Sequence, residues 1–238
     1  MGDVKTGAGQ TRRARARATQ NRIIDHAYRL FCDSGYPATT IEAIAAEAGV
    51  ATQTVYYFFR TKALLLQQVV EVAAAGEAQP LPVMERPWMR QILTENNARR
   101  ALAFLVEHGV DIYIRVAPLR PALEVAAASD PDINAYWRAV AERRKAGMRT
   151  FVERLAELRA LLPGLTVQRA TDVMFVVNSH EVFLGLTRDS GWLVTDFKRW
   201  LYVALTQQLL DSTLLGSPAA ATAGLSFHEE TGGDLANH

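Results

Sequence analysis

Thr52, Gln53 and Thr54 are three consecutive hydrogen-bonding side chains set directly after the small-residue corner Ala48-Gly49-Val50-Ala51. A glutamine can pair bidentately with N6 and N7 of adenine, and a threonine methyl can pack on the thymine methyl. Three such residues in the first turn of a helix therefore suit the reading of base edges in a major groove. Tyr56, Tyr57 and Lys62 follow with hydroxyl and ammonium donors suited to phosphates, with packing between helices as the alternative for each tyrosine. Thr40, at the start of the preceding helical pattern, combines a hydroxyl with free backbone N–H groups and a favourable dipole. Arg15 and Arg17, with Arg12 and Arg13, concentrate charge upstream. They read either as a solvated tail or as an arm that follows phosphates or enters a minor groove.

The elements that would hold these residues are legible from spacing. Glu42 stands three residues after Thr39, as in a capping box. Ile41, Ile44, Ala45 and Ala48 recur at helical spacing as far as Gly49. A small residue (Ala45), a glycine four later and an aliphatic (Val55) beyond it are what a helix-turn-helix requires. The small residue admits a close crossing, the glycine makes the corner and the aliphatic wedges between the helices. An earlier helix over about 19–34 carries Ile23, Ala27, Leu30 and Phe31 on one face, and Thr61 can cap a helix over 62–75. Phe58 and Phe59 are assigned to core.

The 238 residues are about half hydrophobic and a fifth charged, enough for one large domain or two small ones. Residues 1–62 hold nine Lys/Arg against five Asp/Glu, so the basic excess sits at the end that carries the helix-turn-helix. Cys32, the sole cysteine, excludes a disulfide framework and is assigned to packing. No apolar run approaches a membrane span and no signal peptide is evident, so a soluble, cytoplasmic protein is expected.

Pro80, Pro82 and Pro87 break the helical pattern after residue 76. Beyond them the spacing predicts helices over 88–94, 97–116, a short stretch to 128, 130–161 behind an Asp130-Pro131 start, 166–188 and 195–214. No strand is expected. Wide apolar faces run along the last two, through Val173, Val177, His180 and Leu184, and through Phe197, Trp200, Leu201, Ala204, Leu205 and Gln208. Such faces serve equally as intramolecular core or as a dimer interface. The organisation expected is an Arg-rich disordered arm (1–17), a helix-turn-helix domain (18–66), an all-α second domain (67–215) and a disordered tail (216–238).

The stretch from Gly35 to Leu66 resembles the DNA-binding signature of the TetR family of transcriptional regulators. Gly35, Tyr36, Thr39, Thr40, Ile44, Ala45, Ala48, Gly49, Val50, Thr54, Tyr56, Phe59, Lys62, Leu64 and Leu65 match it; Ala51, Gln53, Phe58 and Ala63 depart from its usual residues. The resemblance implies an all-α fold: an N-terminal three-helix helix-turn-helix domain and a C-terminal helical ligand-binding and dimerisation domain. It implies a homodimer joined through the last two helices, a double-stranded DNA operator and release by a small effector, with no cofactor. Two recognition helices about 34–36 Å apart would read a palindrome. Phe104, His108, Tyr113, Trp137, Met148, Phe175 and Asn178 are candidates for a pocket suited to an apolar or amphipathic molecule, each competing with a core assignment. A protein of the same fold with no small effector, governed by a partner protein or by DNA occupancy, is the alternative. His108 and His180 stand alone, so no metal site is expected. No nucleophile–base pair, phosphate loop or Glu-x-x-His pair points to an enzyme.

Overall fold

A computed structural model describes residues 5–76 and 83–211, with side chains from Arg12 onward. Over these residues the chain is helical, and its one strand-like pairing is an isolated antiparallel bridge between Leu161 and Leu210. The expected tail at 216–238 lies outside the described residues, as do the first four residues of the arm. No helix among the described residues is long and apolar enough to cross a membrane.

The chain divides into two compact units. The first takes residues 1–80 and 115–140, the second residues 81–114 and 141–238. The unit that carries the helix-turn-helix therefore extends well past the 18–66 expected from the sequence.

In the first unit, α1 (Lys5–Ala38), α2 (Ile41–Glu47), α3 (Thr52–Phe59) and α4 (Lys62–Ala75) are joined by α7 (Arg120–Ser129) and the start of α8 (Pro131–Glu157). α1 starts earlier than the 19 expected, with residues 5–17 helical rather than disordered, while Gly35 (φ 73°, ψ 176°) interrupts it where the sequence reading ends it. The Arg-Ala alternation from residue 13 to 18 favours the helix over that stretch, since both residues rank among the better helix formers. Ile23, Ile24, Ala27 and Phe31 of α1 are buried with Ile44 of α2, Val55 of α3, and Leu65, Leu66 and Val69 of α4. Each such large aliphatic or aromatic side chain contributes roughly 1.5–3 kcal/mol of transfer free energy. α7 packs along α1. Tyr28 ties the unit further, its hydroxyl donating to the Arg115 carbonyl at 2.9 Å while Arg115 Nε donates to the Ala73 carbonyl at 2.9 Å. Cys32 is half-buried, and burial pushes its thiol up to about 11, out of reach of thiolate chemistry.

The Asp130-Pro131 start of α8 is as the sequence predicts. Asp130 Oδ1 accepts from the backbone N–H of Asp132 at 2.9 Å and of Ile133 at 3.3 Å, and Pro131 opens the helix. Asp130→Ala is expected to cost about 1 kcal/mol, read as a lowered urea midpoint with an unchanged m-value.

The second unit holds α5 (Pro87–Thr94), most of α6 (Ala98–Val116), the rest of α8, α9 (Val167–Val177), α10 (His180–Leu184) and α11 (Val194–Leu209). Helix α8 stops at Glu157, short of the expected 161, because Arg159 takes a positive φ of 55°. The segment behind it pairs with the end of α11: Leu162 N–H donates to the Leu209 carbonyl and Asp211 N–H to the Ala160 carbonyl, both at 2.9 Å. The single helix expected over 166–188 is broken. Asn178 closes α9 with ψ 69°, Ser179 Oγ accepts from Val182 N–H at 3.3 Å to start α10, and Gly185–Asp189 winds as a π-helix. Asn and Ser side chains compete with helical hydrogen bonds, and here buried donors reward the break. Tyr113 Oη donates to the Asn178 carbonyl at 2.6 Å and Arg144 Nη1 donates to it at 3.1 Å. Burial pushes the Tyr113 hydroxyl up to about 12, so it stays a donor.

Lys198 of α11 is 4% exposed, and its ammonium lies 2.7 Å from Glu107 Oε1 and 3.0 Å from Asp111 Oδ1 of α6. Burial alone would depress this lysine. The two carboxylates outweigh it and hold the ammonium above its ordinary range.

Candidate nucleic-acid interface

The corner between α2 and α3 is built by hydrogen bonds that the sequence pattern anticipates. Gly49 takes φ 62°. Its N–H donates to the Ala46 carbonyl at 3.1 Å, and Val50 N–H donates to the Ala45 carbonyl at 3.0 Å. These are the paired bonds of a Schellman ending, which needs a left-handed residue at the glycine position. Ala45 and Val55, 2% and 0% exposed, fill the crossing.

This corner presents α3 with Gln53 exposed and Thr52 and Thr54 half-buried. Tyr56 is 46% and Tyr57 81% exposed, so neither is spent on packing between helices. Ala51 starts α3 with no side-chain cap, and Thr52 supplies none because it is already the first helical residue. Thr40 is exposed and caps α2, its Oγ1 accepting from Ala43 N–H at 3.0 Å. The expected capping box is therefore out of register by one residue. Thr39, its proposed start, is buried, and its hydroxyl donates to the carbonyls of Leu30 at 3.0 Å and Gly35 at 2.7 Å. The sequence signal for this inward role was the pairing of Thr39 with Gly35, whose φ of 73° and ψ of 176° turn that carbonyl towards it.

Lys62 does other work than a free phosphate donor. Its Nζ donates to the carbonyls of Tyr36 at 2.8 Å and Thr39 at 2.9 Å and lies 4.1 Å from the centre of the Tyr36 ring. Burial lowers its pKa, but two carbonyls and a ring face hold the ammonium where it is. Phe59 is core as expected, whereas Phe58 is only half-buried. Arg60 is a residue that spacing did not single out. It is exposed directly after α3 with φ 60° and ψ −48°, and Thr61 N–H closes a tight turn around it on the Phe59 carbonyl at 2.6 Å. Arg15 and Arg17 are both exposed on α1.

The family model of the bacterial regulatory proteins of the tetR family matches residues 23–69, the segment that spans this corner and both of its helices. Residues 23–69 are thus similar to the DNA-binding segment of TetR-family regulators. An uncharacterized HTH-type transcriptional regulator, TtgW of Pseudomonas putida, is 37% identical over 82 residues, which cover 32% of this chain and 58% of that protein. The match thus spans less than two thirds of that relative. Among solved structures, a TetR-family regulator from Mesorhizobium loti superposes with a TM-score of 0.65 at 20% identity, covering 81% of this chain and 96% of its own. FadR from Bacillus subtilis, solved in complex with stearoyl-CoA, gives 0.60 at 18% identity over 77% and 96%. At these identities the structures attest to the all-α fold alone.

The second unit distributes the remaining predicted residues unevenly. Phe197, Leu201 and Leu205 are each 0% exposed within one protomer, so they are core and not available to a partner; His180 at 8% is also enclosed. Periodicity failed here because an apolar stripe looks the same whichever neighbour covers it. Val173, Val177, Leu184, Trp200 and Ala204 are half-buried and Gln208 is exposed. Val176 and Leu193, which the stripe omitted, are 64% and 68% exposed. Of the pocket candidates, Tyr113, Asn178 and Met148 are buried, while Phe104 and Phe175 are half-buried. His108 stacks on Trp88 at 5.0 Å, and burial lowers its pKa. Arg144 lies 4.2 Å from the centre of the Phe175 ring. Trp137 belongs to the first unit, where Arg120 covers its ring at 4.8 Å.

Proposed function

We propose that this protein is a sequence-specific DNA-binding transcriptional regulator, a homodimer that reads a palindromic operator and is released from it by a small apolar or amphipathic molecule. The observation that carries the DNA-binding reading is the exposed face of α3. Gln53 and Tyr57 stand clear of the protein behind a rigid glycine corner, with Thr52 and Thr54 beside them, in the helix that enters the major groove in this motif. The family affiliation points to regulation rather than catalysis.

The homodimer reading is supported by Val176, Trp192 and Leu193, apolar side chains exposed on and between the last helices that a second copy would cover. The effector reading is supported by the polar groups that converge at the α9–α10 break, where Asn178 Oδ1 is buried without a hydrogen-bond partner. It is supported too by a neighbour of the same fold solved with stearoyl-CoA.

The test is selection from a random duplex library. Recovery of inverted half-sites with centres about 34–36 Å apart is the expected result, and a library that stays unenriched would sink the reading. Gln53→Ala is expected to relax or change one position of the selected half-site by about 1–3 kcal/mol of discrimination, read by competition between matched and substituted operators. An unaltered consensus would remove Gln53 from base reading.

A further inference from the structure

An α-helix turns about 100° per residue, so positions 13, 17, 20, 24, 27 and 31 share one stripe of α1. That stripe reads Arg13, Arg17, Gln20, Ile24, Ala27 and Phe31. Its last three members are buried at 4%, 0% and 1% and form core. Gln20 marks where the stripe leaves the bundle: it lines one surface groove with Phe58 and Arg60, at the end of α3. Arg17 and Arg13 lie further out along the same stripe, about 4.5 and 10.5 Å along the axis from Gln20, and both are exposed. Gly35 is the one residue of α1 with non-helical backbone angles, so the stripe runs unbroken from residue 13 to residue 31. Arg15, equally exposed, falls well round the helix from Arg13 and Arg17, about 160–200° away.

The face of α1 that faces the bundle therefore changes from apolar to basic at the point where it passes the end of the recognition helix. Arg60 projects at that same end, held by a backbone turn with positive φ that an arginine seldom adopts. We propose that Arg13, Arg17 and Arg60 form a phosphate clamp on duplex DNA flanking the half-site, beside the C-terminal end of α3. Arg15, which sequence position alone places with Arg17, faces away and takes no part. Two arginines on one stripe of α1 and a third at the end of α3 offer guanidiniums suited to phosphate oxygens, and such contacts set register without reading sequence. The proposal rests on the DNA-binding reading above.

The test titrates the full-length protein with a selected operator duplex and with an unrelated duplex across a salt series. Each neutralised phosphate contributes about 0.9 to the slope of log K against log salt. Arg13→Ala/Arg17→Ala removes two contacts from each protomer of the dimer, so it is expected to reduce the slope by roughly 3.6 and to weaken both duplexes alike. Arg60→Gly keeps the positive φ without a side chain and, counted over both protomers, is expected to remove about 1.8 more. The control Arg12→Ala/Arg15→Ala removes the same charge from the neighbouring positions and is expected to leave the slope within about 0.3 of wild type. Equal losses in the two double variants would show undirected charge and overturn the clamp, as would an unchanged slope in Arg13→Ala/Arg17→Ala. Wild-type protein that binds no duplex would sink the DNA-binding reading and the clamp with it, an outcome visible before any variant is compared.

Discussion

Lys62→Ala is expected to destabilise the DNA-reading unit by about 2 kcal/mol and to weaken binding to every duplex without reducing the salt slope. The ammonium of Lys62 bonds the Tyr36 and Thr39 carbonyls at 2.8 and 2.9 Å and covers the Tyr36 ring. Both carbonyls sit where α1 ends and α2 begins, so losing their shared donor frees the entry to the helix-turn-helix. Hydrogen bonds to charged groups contribute roughly 1.5–3 kcal/mol each, and the lower end applies because Lys62 keeps partial access to water. Urea unfolding measures the first half of the prediction and a salt titration the second. A slope that falls by about 1.8, one contact from each protomer, with stability intact would return Lys62 to the phosphate contacts.

Lys198→Met is expected to cost the second unit about 2–4 kcal/mol. It leaves Glu107 and Asp111 facing each other and an apolar side chain, with their common counter-charge gone. The carboxylates are about a quarter exposed, so the cost falls below that of a fully sealed pair. Adding Glu107→Gln and Asp111→Asn should recover much of it, since neutral amides no longer repel. The pH dependence follows from the raised pKa of Lys198. A lysine held above its ordinary value stabilises the fold fully below the unfolded pKa of about 10.4 and loses that contribution as pH rises through the folded pKa. The gap between wild type and Lys198→Met should therefore stay constant from neutral pH to about 10 and narrow above it. A gap that narrows on acidification to about pH 6 would contradict the assignment.

The helix-turn-helix is legible in the sequence because local rules govern it. Gly49 needs a positive φ, Ala45 and Val55 need a close crossing, and Thr61 caps α4 as its spacing implies, accepting from Leu64 N–H at 3.1 Å. Thr39, expected to open a capping box, and Lys62, expected to meet phosphate, mislead for one shared reason: both side chains turn inward. Their partners are backbone carbonyls, which are identical for every residue and leave no trace in side-chain pattern. The break at Asn178 is hidden in the same way. Its cause lies in Tyr113 and Arg144, 65 and 34 positions away, and no window on α9 contains them. Phe197, Leu201 and Leu205 do share one stripe, but a stripe says nothing about which surface covers it.

The division of the chain into 1–80 with 115–140, and 81–114 with the rest, also sets a timetable for synthesis. The unit that carries the helix-turn-helix is interrupted in sequence, and α7, which packs along α1, begins at Arg120 while α4 ends at Ala75. A nascent chain that has just exposed Pro80 therefore presents the α7-facing side of α1 uncovered. At about 5–20 residues per second, the ribosome needs roughly 3–12 s more to deliver residue 140. During that interval the recognition helix exists without the element that braces α1, so a transcript interrupted before residue 140 yields a chain that carries the signature but not the finished reader.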